Sequence, residues 1–112
     1  MTRMLRGQIW EATLDQTVGS KMWVVVSHNP RNRNFDTALA VRVTTTNRHA
    51  NLPTVIALPA GESIHGWIVC DSLTELWDED LNQAEPAGAL SPRTMNLIAP
   101  GLMAALGLSP SG

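Results

Sequence analysis

A series of short β-rich segments, closed by a single helical segment, is the feature that most restricts the fold of this chain. The β-rich segments are separated by turn-forming residues and cover residues 6–14, 21–27, 37–46, 52–58 and 66–72. The last of them is followed by residues 73–77, which can continue it after a bend, so five or six strands are expected. Strands spaced at roughly 8–12 residues are typical of a small barrel or a strongly curved sheet. A chain of 112 residues has room for one such domain.

The helical segment begins at Ser91-Pro92, where Ser is a favoured N-cap and Pro a favoured first helical residue. Apolar residues then repeat at helical spacing as far as Gly107, a typical C-terminal stop. Pro100 lies inside this pattern, and we expect it to kink or break the helix. Because the apolar stripe must be buried, the helix should cover one face of the sheet. The predicted fold is therefore mainly β with a C-terminal helix.

Three further segments are predicted to lack regular structure. Residues 28–34 are too rich in Asn and Pro to form an element. Residues 78–90 are acidic and rich in turn formers. Residues 109–112 are expected to form a frayed tail, which leaves residues 1–108 as a single domain.

The net charge of −2 conceals two halves of opposite sign. Taken alone, −2 argues against a nucleic-acid partner, because phosphate binding normally leaves a basic footprint. Residues 1–50 hold seven basic and three acidic side chains, a net charge of +4, whereas residues 51–112 hold one and seven, a net charge of −6. Such asymmetry indicates a charged partner. If the basic half forms a binding groove, the acids concentrated in residues 75–85 should face away from it.

Several classes of chemistry are absent from the sequence. The three histidines are far apart, and no HxxxH, CxxC or carboxylate-rich ligand set appears, so we predict neither a metal nor a cofactor. Nucleotide-binding glycine loops and the GxSxG elbow are also missing. Cys70 lies in an apolar run and is predicted to be a buried hydrophobic residue, because a catalytic thiolate needs exposure and a nearby cation. With no secretory signal and no apolar run of about 18 residues, we expect a cytoplasmic protein without a membrane segment.

Five motifs in a fixed order resemble the MazF/PemK family of bacterial toxins. They read R-G-Q-I-W, then G-S-K-M-W-V-V-V-S, then R-V-T-T-T followed by L-P-T, then C-D-S-L, and finally L-S-P-R-T-M through A-L-G-L. These motifs occupy Arg6–Trp10, Gly19–Ser27, Arg42–Thr54, Cys70–Leu73 and Leu90–Leu108. Each motif is weak alone, but their common order makes the resemblance specific, and together they span nearly the whole chain.

The resemblance implies a small SH3-like barrel with a C-terminal helix, of the type that CcdB, PemK and MazF share. It also implies a homodimer in the bacterial cytoplasm and an endoribonuclease that cuts single-stranded RNA at a short sequence without a metal. In this chemistry the RNA's own 2′-hydroxyl attacks the neighbouring phosphate and leaves a 2′,3′-cyclic phosphate and a 5′-hydroxyl. The implied partners are RNA and a MazE-like antitoxin whose acidic C-terminal segment competes for the same surface.

The resemblance maps the family's catalytic pair onto Lys21 and Thr44. Thr44 is found by counting back eight residues from Leu52 of the L-P-T motif. Lys21 stands where the family commonly has Arg, and Met22 where it has Pro, after a shortened loop. Lysine keeps the positive charge and can donate a proton, but it loses the bidentate grip of Arg on a phosphate.

Other residues are candidates for contacting RNA. Arg42 and Arg48 flank Thr44 and are expected to bind phosphates, and Thr45 and Thr46 are weaker candidates for the hydroxyl role. The polar segment after the second strand offers further contacts, although such a segment can equally be a solvated turn: Ser27, Asn29, Arg31 and Arg33. Either His28 or His49 can act as general base. The four tryptophans can stack on bases, although burial is expected for at least two.

Two alternative functions stay open at this point. A CcdB-like protein would poison a topoisomerase without cutting RNA, acting through its C-terminal helix, which Pro100 is expected to disturb here. A catalytically decayed homologue would only bind the antitoxin.

Overall fold

The computed structural model describes residues 1–46 and 48–108, so the predicted tail at 109–112 lies outside the described residues. Six strands are β1 Gln8–Ala12, β2 Lys21–Val25, β3 Ala38–Thr44, β4 Val55–Ala57, β5 Trp67–Leu76 and β6 Gly88–Ala89. Two α-helices are α1 Asn29–Phe35 and α2 Pro92–Leu106, and a single 3₁₀ turn covers Asp78–Asp80.

The six strands form one curled antiparallel sheet in the order β4-β5-β3-β2-β1-β6. This arrangement confirms the prediction of a mainly β fold with a C-terminal helix. The two-residue strand β6 was not predicted. It pairs Gly88 with Ile9 and Ala89 with Gln8, and residues as small as Gly and Ala carry no strand signal of their own.

Side-chain alternation gives the sheet two different faces. The helix face carries the larger apolar cluster, which α2 covers: Ile9, Val24, Val41, Val43, Ile68, Cys70, Met95 and Ile98. The open face carries a second cluster at one end only: Met4, Trp10, Ala12, Trp23, Val25, Ala38, Ala40 and Leu76. The other end of the open face holds polar and charged side chains, among them Lys21, Arg42 and Thr44.

Helix α2 begins and ends where its sequence predicts. The Ser91 hydroxyl accepts a hydrogen bond from the Thr94 backbone N–H at 3.2 Å, and Gly107 ends the helix at a φ of 70°. Of the kink or break predicted at Pro100, the break is wrong, because α2 continues without interruption to Leu106. Proline removes one backbone hydrogen bond, and the loss is offset by packing on both sides of it, since Ile98 and Gly101 are buried.

The predicted loop at 28–34 is also wrong, because Asn29–Phe35 forms α1. Pro30 lies in the first turn, where its missing N–H costs nothing. The buried Asn32 holds the helix to the end of β2: the Ser27 hydroxyl donates to Asn32 Oδ1 at 2.5 Å, and Asn32 Nδ2 donates to the Ser27 carbonyl. These tertiary contacts override the weak helix propensity of the segment.

Strand β5 crosses the predicted bend as one strand with an irregular register. Arg42 pairs with Val69, whereas Ala40 pairs with Thr74, so extra residues of β5 bulge out between these pairs. The Ser72 hydroxyl fills the gap, accepting from the Arg42 backbone N–H at 2.7 Å and donating to the Val69 carbonyl at 2.6 Å. This bulge sets the position of Arg42 on the open face.

Candidate active site

The ends of β2 and β3 bring Lys21 and Thr44 together on the open face. The register pairs Met22 with Val43, and its continuation by one residue places Lys21 opposite Thr44. Both side chains line one recess of about 370 Å³, here called the catalytic recess. Its lining consists of Ser20, Lys21, Met22, Arg42, Val43, Thr44, Thr45 and Thr46.

The Thr44 hydroxyl is held by the turn that follows β3. Thr44 Oγ1 accepts a hydrogen bond from the Thr46 backbone N–H at 3.2 Å and lies 3.1 Å from Thr46 Oγ1. Because the N–H occupies one lone pair, the hydroxyl hydrogen can be donated to a bound anion. The local arrangement therefore prepares Thr44 as a donor towards a phosphate oxygen.

Gly66 allows the beginning of β5 to approach the end of β3. Its φ is +126°, and a Cβ atom at this position would lie 2.2 Å from the Thr44 carbonyl oxygen. Only glycine accommodates both the backbone conformation and the close approach. Gly66 thus helps to set where Thr44 lies, a role for which the sequence pattern held no separate signal.

Arg42 connects the catalytic recess to a second one of about 300 Å³, here called the flank recess. The flank recess is lined by Arg42, Thr44, Thr46, Arg48, His49, Leu52, Val55, Val69 and Asp71. His49 therefore lies beside the proposed site, whereas His28 occupies the residue just before α1. Asp71 was not singled out from the sequence, and its carboxylate accepts a hydrogen bond from the Thr54 hydroxyl at 2.5 Å.

Among the basic side chains, Lys21 lines the catalytic recess, Arg48 lines the flank recess, and Arg42 lines both. In the described part of the chain, none of the acidic side chains of residues 75–85 lines either recess. This distribution agrees with the prediction that the acids of residues 75–85 face away from a basic groove. Asp71, however, is an acid that lines the flank recess.

A second group of predicted RNA contacts lies away from the catalytic recess. These residues lie in α1 or just before it, beyond the other end of β2: Ser27, Asn29, Arg31 and Arg33. Three of them make structural contacts. The Ser27 hydroxyl accepts the Leu39 backbone N–H at 2.9 Å, Asn29 accepts a backbone N–H from the segment before β1, and Arg31 pairs with Glu75 at 3.2 Å. Arg33 is exposed.

The tryptophans and the cysteine lie largely where their sequence context predicts. Trp10 and Trp23 are buried, which confirms that at least two tryptophans belong to the core, whereas Trp77 is exposed. Cys70 is buried under α2, and burial raises the pKa of its thiol to about 11. A buried thiol with a raised pKa is a poor nucleophile, as the sequence predicts.

In residues 1–46 and 48–108, no three His, Cys, Asp or Glu side chains lie close enough together to hold a metal ion. Neither helix there has the length and apolar character that crossing a membrane requires.

Comparison with protein families gives a match that covers almost the whole chain. Residues 5–106 match the model of the PemK-like, MazF-like toxins of type II toxin–antitoxin systems. Curated relatives include endoribonuclease MazF1 of Mycobacterium bovis and endoribonuclease MazF4 of Mycobacterium tuberculosis. Each is 37% identical to this chain over 108 residues, which cover 96% of this chain and 97% of the relative.

Solved structures with the same fold extend this comparison. A mycobacterial endoribonuclease in complex with its cognate antitoxin has a TM-score of 0.83 and 37% identity, and the match covers 95% of this chain and 97% of that one. A MazE–MazF structure from Deinococcus radiodurans has a TM-score of 0.74 at 22% identity, covering 95% and 97% of the two chains. The latter likeness concerns the fold alone.

Proposed function

The chain belongs to the PemK-like, MazF-like toxins of type II toxin–antitoxin systems, and from this premise we propose how it acts as an endoribonuclease. It cuts single-stranded RNA at a short sequence, without a metal ion, by attack of the 2′-hydroxyl on the adjacent phosphate. The curated relatives at 37% identity over nearly the whole chain support the endoribonuclease activity. Residues 1–108 would act as one domain.

The observation that supports this proposal best is the placement of Lys21 opposite Thr44 in the catalytic recess. A cation and a hydroxyl donor on adjacent strands can bind two oxygens of one phosphate. Arg42 lines the same recess and adds a second positive charge. Such fixed donors stabilise the charge that develops on a phosphorane, and they need no metal to do so.

Side chains of the two recesses can account for every proton and bond of the proposed reaction. A base removes the proton of the 2′-hydroxyl, O2′ forms a bond to phosphorus, and the bond from phosphorus to O5′ breaks. Thr44 donates a hydrogen bond to a non-bridging oxygen, and the Lys21 ammonium donates a proton to the departing O5′. His49 and Asp71 line the adjoining flank recess and are the two groups there that can accept the first proton.

The same positive surface suits an acidic antitoxin segment. One mycobacterial relative of known structure is in complex with its cognate antitoxin. We propose that this chain is neutralised likewise, by a MazE-like protein whose acidic C-terminal segment occupies the region of Lys21, Arg42 and Arg48 and excludes RNA by competition. The remaining family traits that we propose are a homodimer and a place in the bacterial cytoplasm.

The proposal is tested by incubating the purified protein with a long single-stranded RNA in excess EDTA and mapping the new 5′ ends. We expect cuts at one short sequence, with 5′-hydroxyl and 2′,3′-cyclic phosphate ends. Lys21→Ala and Thr44→Ala should each lose most of the activity. Matched controls are Arg93→Ala, an exposed cation on α2, and Thr13→Ala, a hydroxyl outside both recesses, and both should retain it. Cleavage that needs a divalent ion, or that survives both site substitutions, contradicts the proposal.

The two alternatives predict different results from the same preparation. A CcdB-like poison would inhibit gyrase supercoiling and leave RNA intact, and because α2 is continuous, Pro100 no longer argues against it. A decayed homologue would bind RNA or antitoxin without turnover. We expect RNA cleavage and no effect on supercoiling.

A further inference from the structure

We propose that a third recess on the open face binds a pyrimidine ring of the RNA, next to the phosphate that is cut. This Trp23–Arg42 recess has a volume of about 170 Å³ and is lined by Ala12, Leu14, Asp15, Val18, Gly19, Lys21, Trp23 and Arg42. A cavity of about 150 Å³ accommodates one benzene ring, so the recess has the size of a single six-membered ring. The inference rests on the proposed function, because it assigns a role to a nucleotide of the same substrate.

Two hydrogen-bond donors at this recess have no partner among the described residues. They are the indole N–H of Trp23 and the Nε–H of Arg42, and both nitrogens are buried. Trp23 as a whole is only 7% exposed. Buried donors in native proteins are nearly always paired, so two unpaired donors on directly paired residues require an explanation. By contrast, the indole N–H of Trp10 in the same apolar cluster donates to Gln8 Oε1 at 3.0 Å.

The sheet register places the two residues that carry these donors opposite each other, and Arg42 also lines the catalytic recess. Trp23 of β2 pairs directly with Arg42 of β3. Arg42 and Lys21 each line both recesses. A ring in the Trp23–Arg42 recess would therefore belong to a nucleotide adjoining the phosphate at Lys21 and Thr44. Since both nitrogens are covered in the free chain, side chains that line the recess have to shift for a ring to reach them.

The lining favours a base over a phosphate or a sugar. Ala12, Leu14 and Val18 supply apolar contact for a planar ring. Asp15 repels a phosphate, because hydrogen bonds from the Thr17 hydroxyl and backbone N–H lower the pKa of its carboxyl and keep it ionised. Two N–H donors match the two acceptors on the pairing edge of a pyrimidine, and a carboxylate can accept the exocyclic amine of cytosine.

The binding test uses an RNA oligonucleotide that spans a mapped cut site and carries a 2′-deoxyribose there, so that it cannot be cut. In ¹⁵N-labelled protein, the indole resonance missing from Trp23→Phe identifies Trp23. We expect that resonance to shift downfield when the pyrimidine oligonucleotide binds, while the Trp10 resonance stays in place. An oligonucleotide with an abasic site at the flanking position should leave the Trp23 resonance unmoved. An equal response to both oligonucleotides overturns the inference.

The kinetic test compares Trp23→Phe with Trp10→Phe, a matched loss of one indole from the same cluster. Trp23→Phe should lower kcat/KM about tenfold on the pyrimidine substrate and leave it unchanged on the abasic one, as expected for one lost hydrogen bond. If the wild type cuts RNA but Trp23→Phe behaves as Trp10→Phe does, the inference fails alone, whereas a wild type that cuts no RNA refutes the proposed function itself.

Discussion

Replacing Gly66 by Ala should distort the catalytic recess, although Gly66 is not among the residues proposed to contact RNA. The added Cβ atom would lie 2.2 Å from the Thr44 carbonyl oxygen, whereas ordinary contact begins at about 3.4 Å. The two backbones must therefore separate by about 1.2 Å. Because Thr44 is the last residue of β3 and a turn follows it, the displacement should fall on this end of the strand rather than on the core.

The expected effect on activity is larger than the effect on stability. A misplacement of about 1 Å can cost roughly 10²-fold in rate, so Gly66→Ala should lower kcat by about that factor. The positive φ adds backbone strain of about 1–3 kcal/mol to the folded state. Cleavage of a short RNA at saturating concentration measures the first quantity, and urea unfolding measures the second.

Gly61→Ala is the control that distinguishes the effect of backbone strain from the effect of displacing Thr44. Gly61 also has a positive φ, +98°, but no atom lies within 4 Å of a Cβ built there. It should lose a similar amount of stability and keep the wild-type rate. Both variants are assayed at a temperature at which circular dichroism shows them to be folded. If Gly66→Ala cuts RNA within about twofold of Gly61→Ala, the claim that Gly66 positions Thr44 is refuted.

Three further predictions concern the scaffold. Ser91→Ala should cost about 0.5–2 kcal/mol in urea unfolding, because α2 loses its N-cap, and an unchanged midpoint would contradict the cap assignment. Hydrogen bonds from the Thr37 hydroxyl and, to a smaller extent, from Arg31 lower the pKa of Glu75 from its ordinary 4.5. Glu75→Gln should therefore lower the free energy of unfolding above about pH 5, and its difference from the wild type should vanish in acid. A difference that stays constant with pH would refute this. Cys70, with its thiol pKa raised to about 11, should resist iodoacetamide at pH 8 until urea unfolds the chain, and rapid alkylation of the folded protein would refute its burial.

Those parts of the fold that depend on local pattern were predictable from the sequence. Alternating apolar residues predict β1 and β3, a run of β-branched residues predicts β2, and the Ser91–Gly107 signals predict both ends of α2. Helix α1 was not predictable, because its stability depends on the contact of Asn32 with Ser27 rather than on propensity. At Pro100 the error was the opposite one: local pattern allowed for a break, but burial of the neighbouring residues keeps α2 continuous.

The site was predictable only in part, for a similar reason. The resemblance to a family pointed to Lys21 and Thr44, and the register then placed them on one face. Asp71 lies in β5, and Gly66 directly precedes that strand. Strand β5 is distant in sequence from Lys21 and Thr44 but lies next to β3 in the sheet. The pairing of Trp23 with Arg42 likewise depends on register, which hydrophobic patterning specifies only after the strands are known to be neighbours.

The central claim is that Lys21 and Thr44 act together on one phosphate. A double-mutant cycle tests it directly, with kcat/KM for a single short RNA measured for the wild type, Lys21→Ala, Thr44→Ala and the double variant. Residues that act as a unit give non-additive losses, so the double variant should be scarcely slower than the slower single variant. Losses that multiply fully would show that the two side chains act independently and would contradict the account.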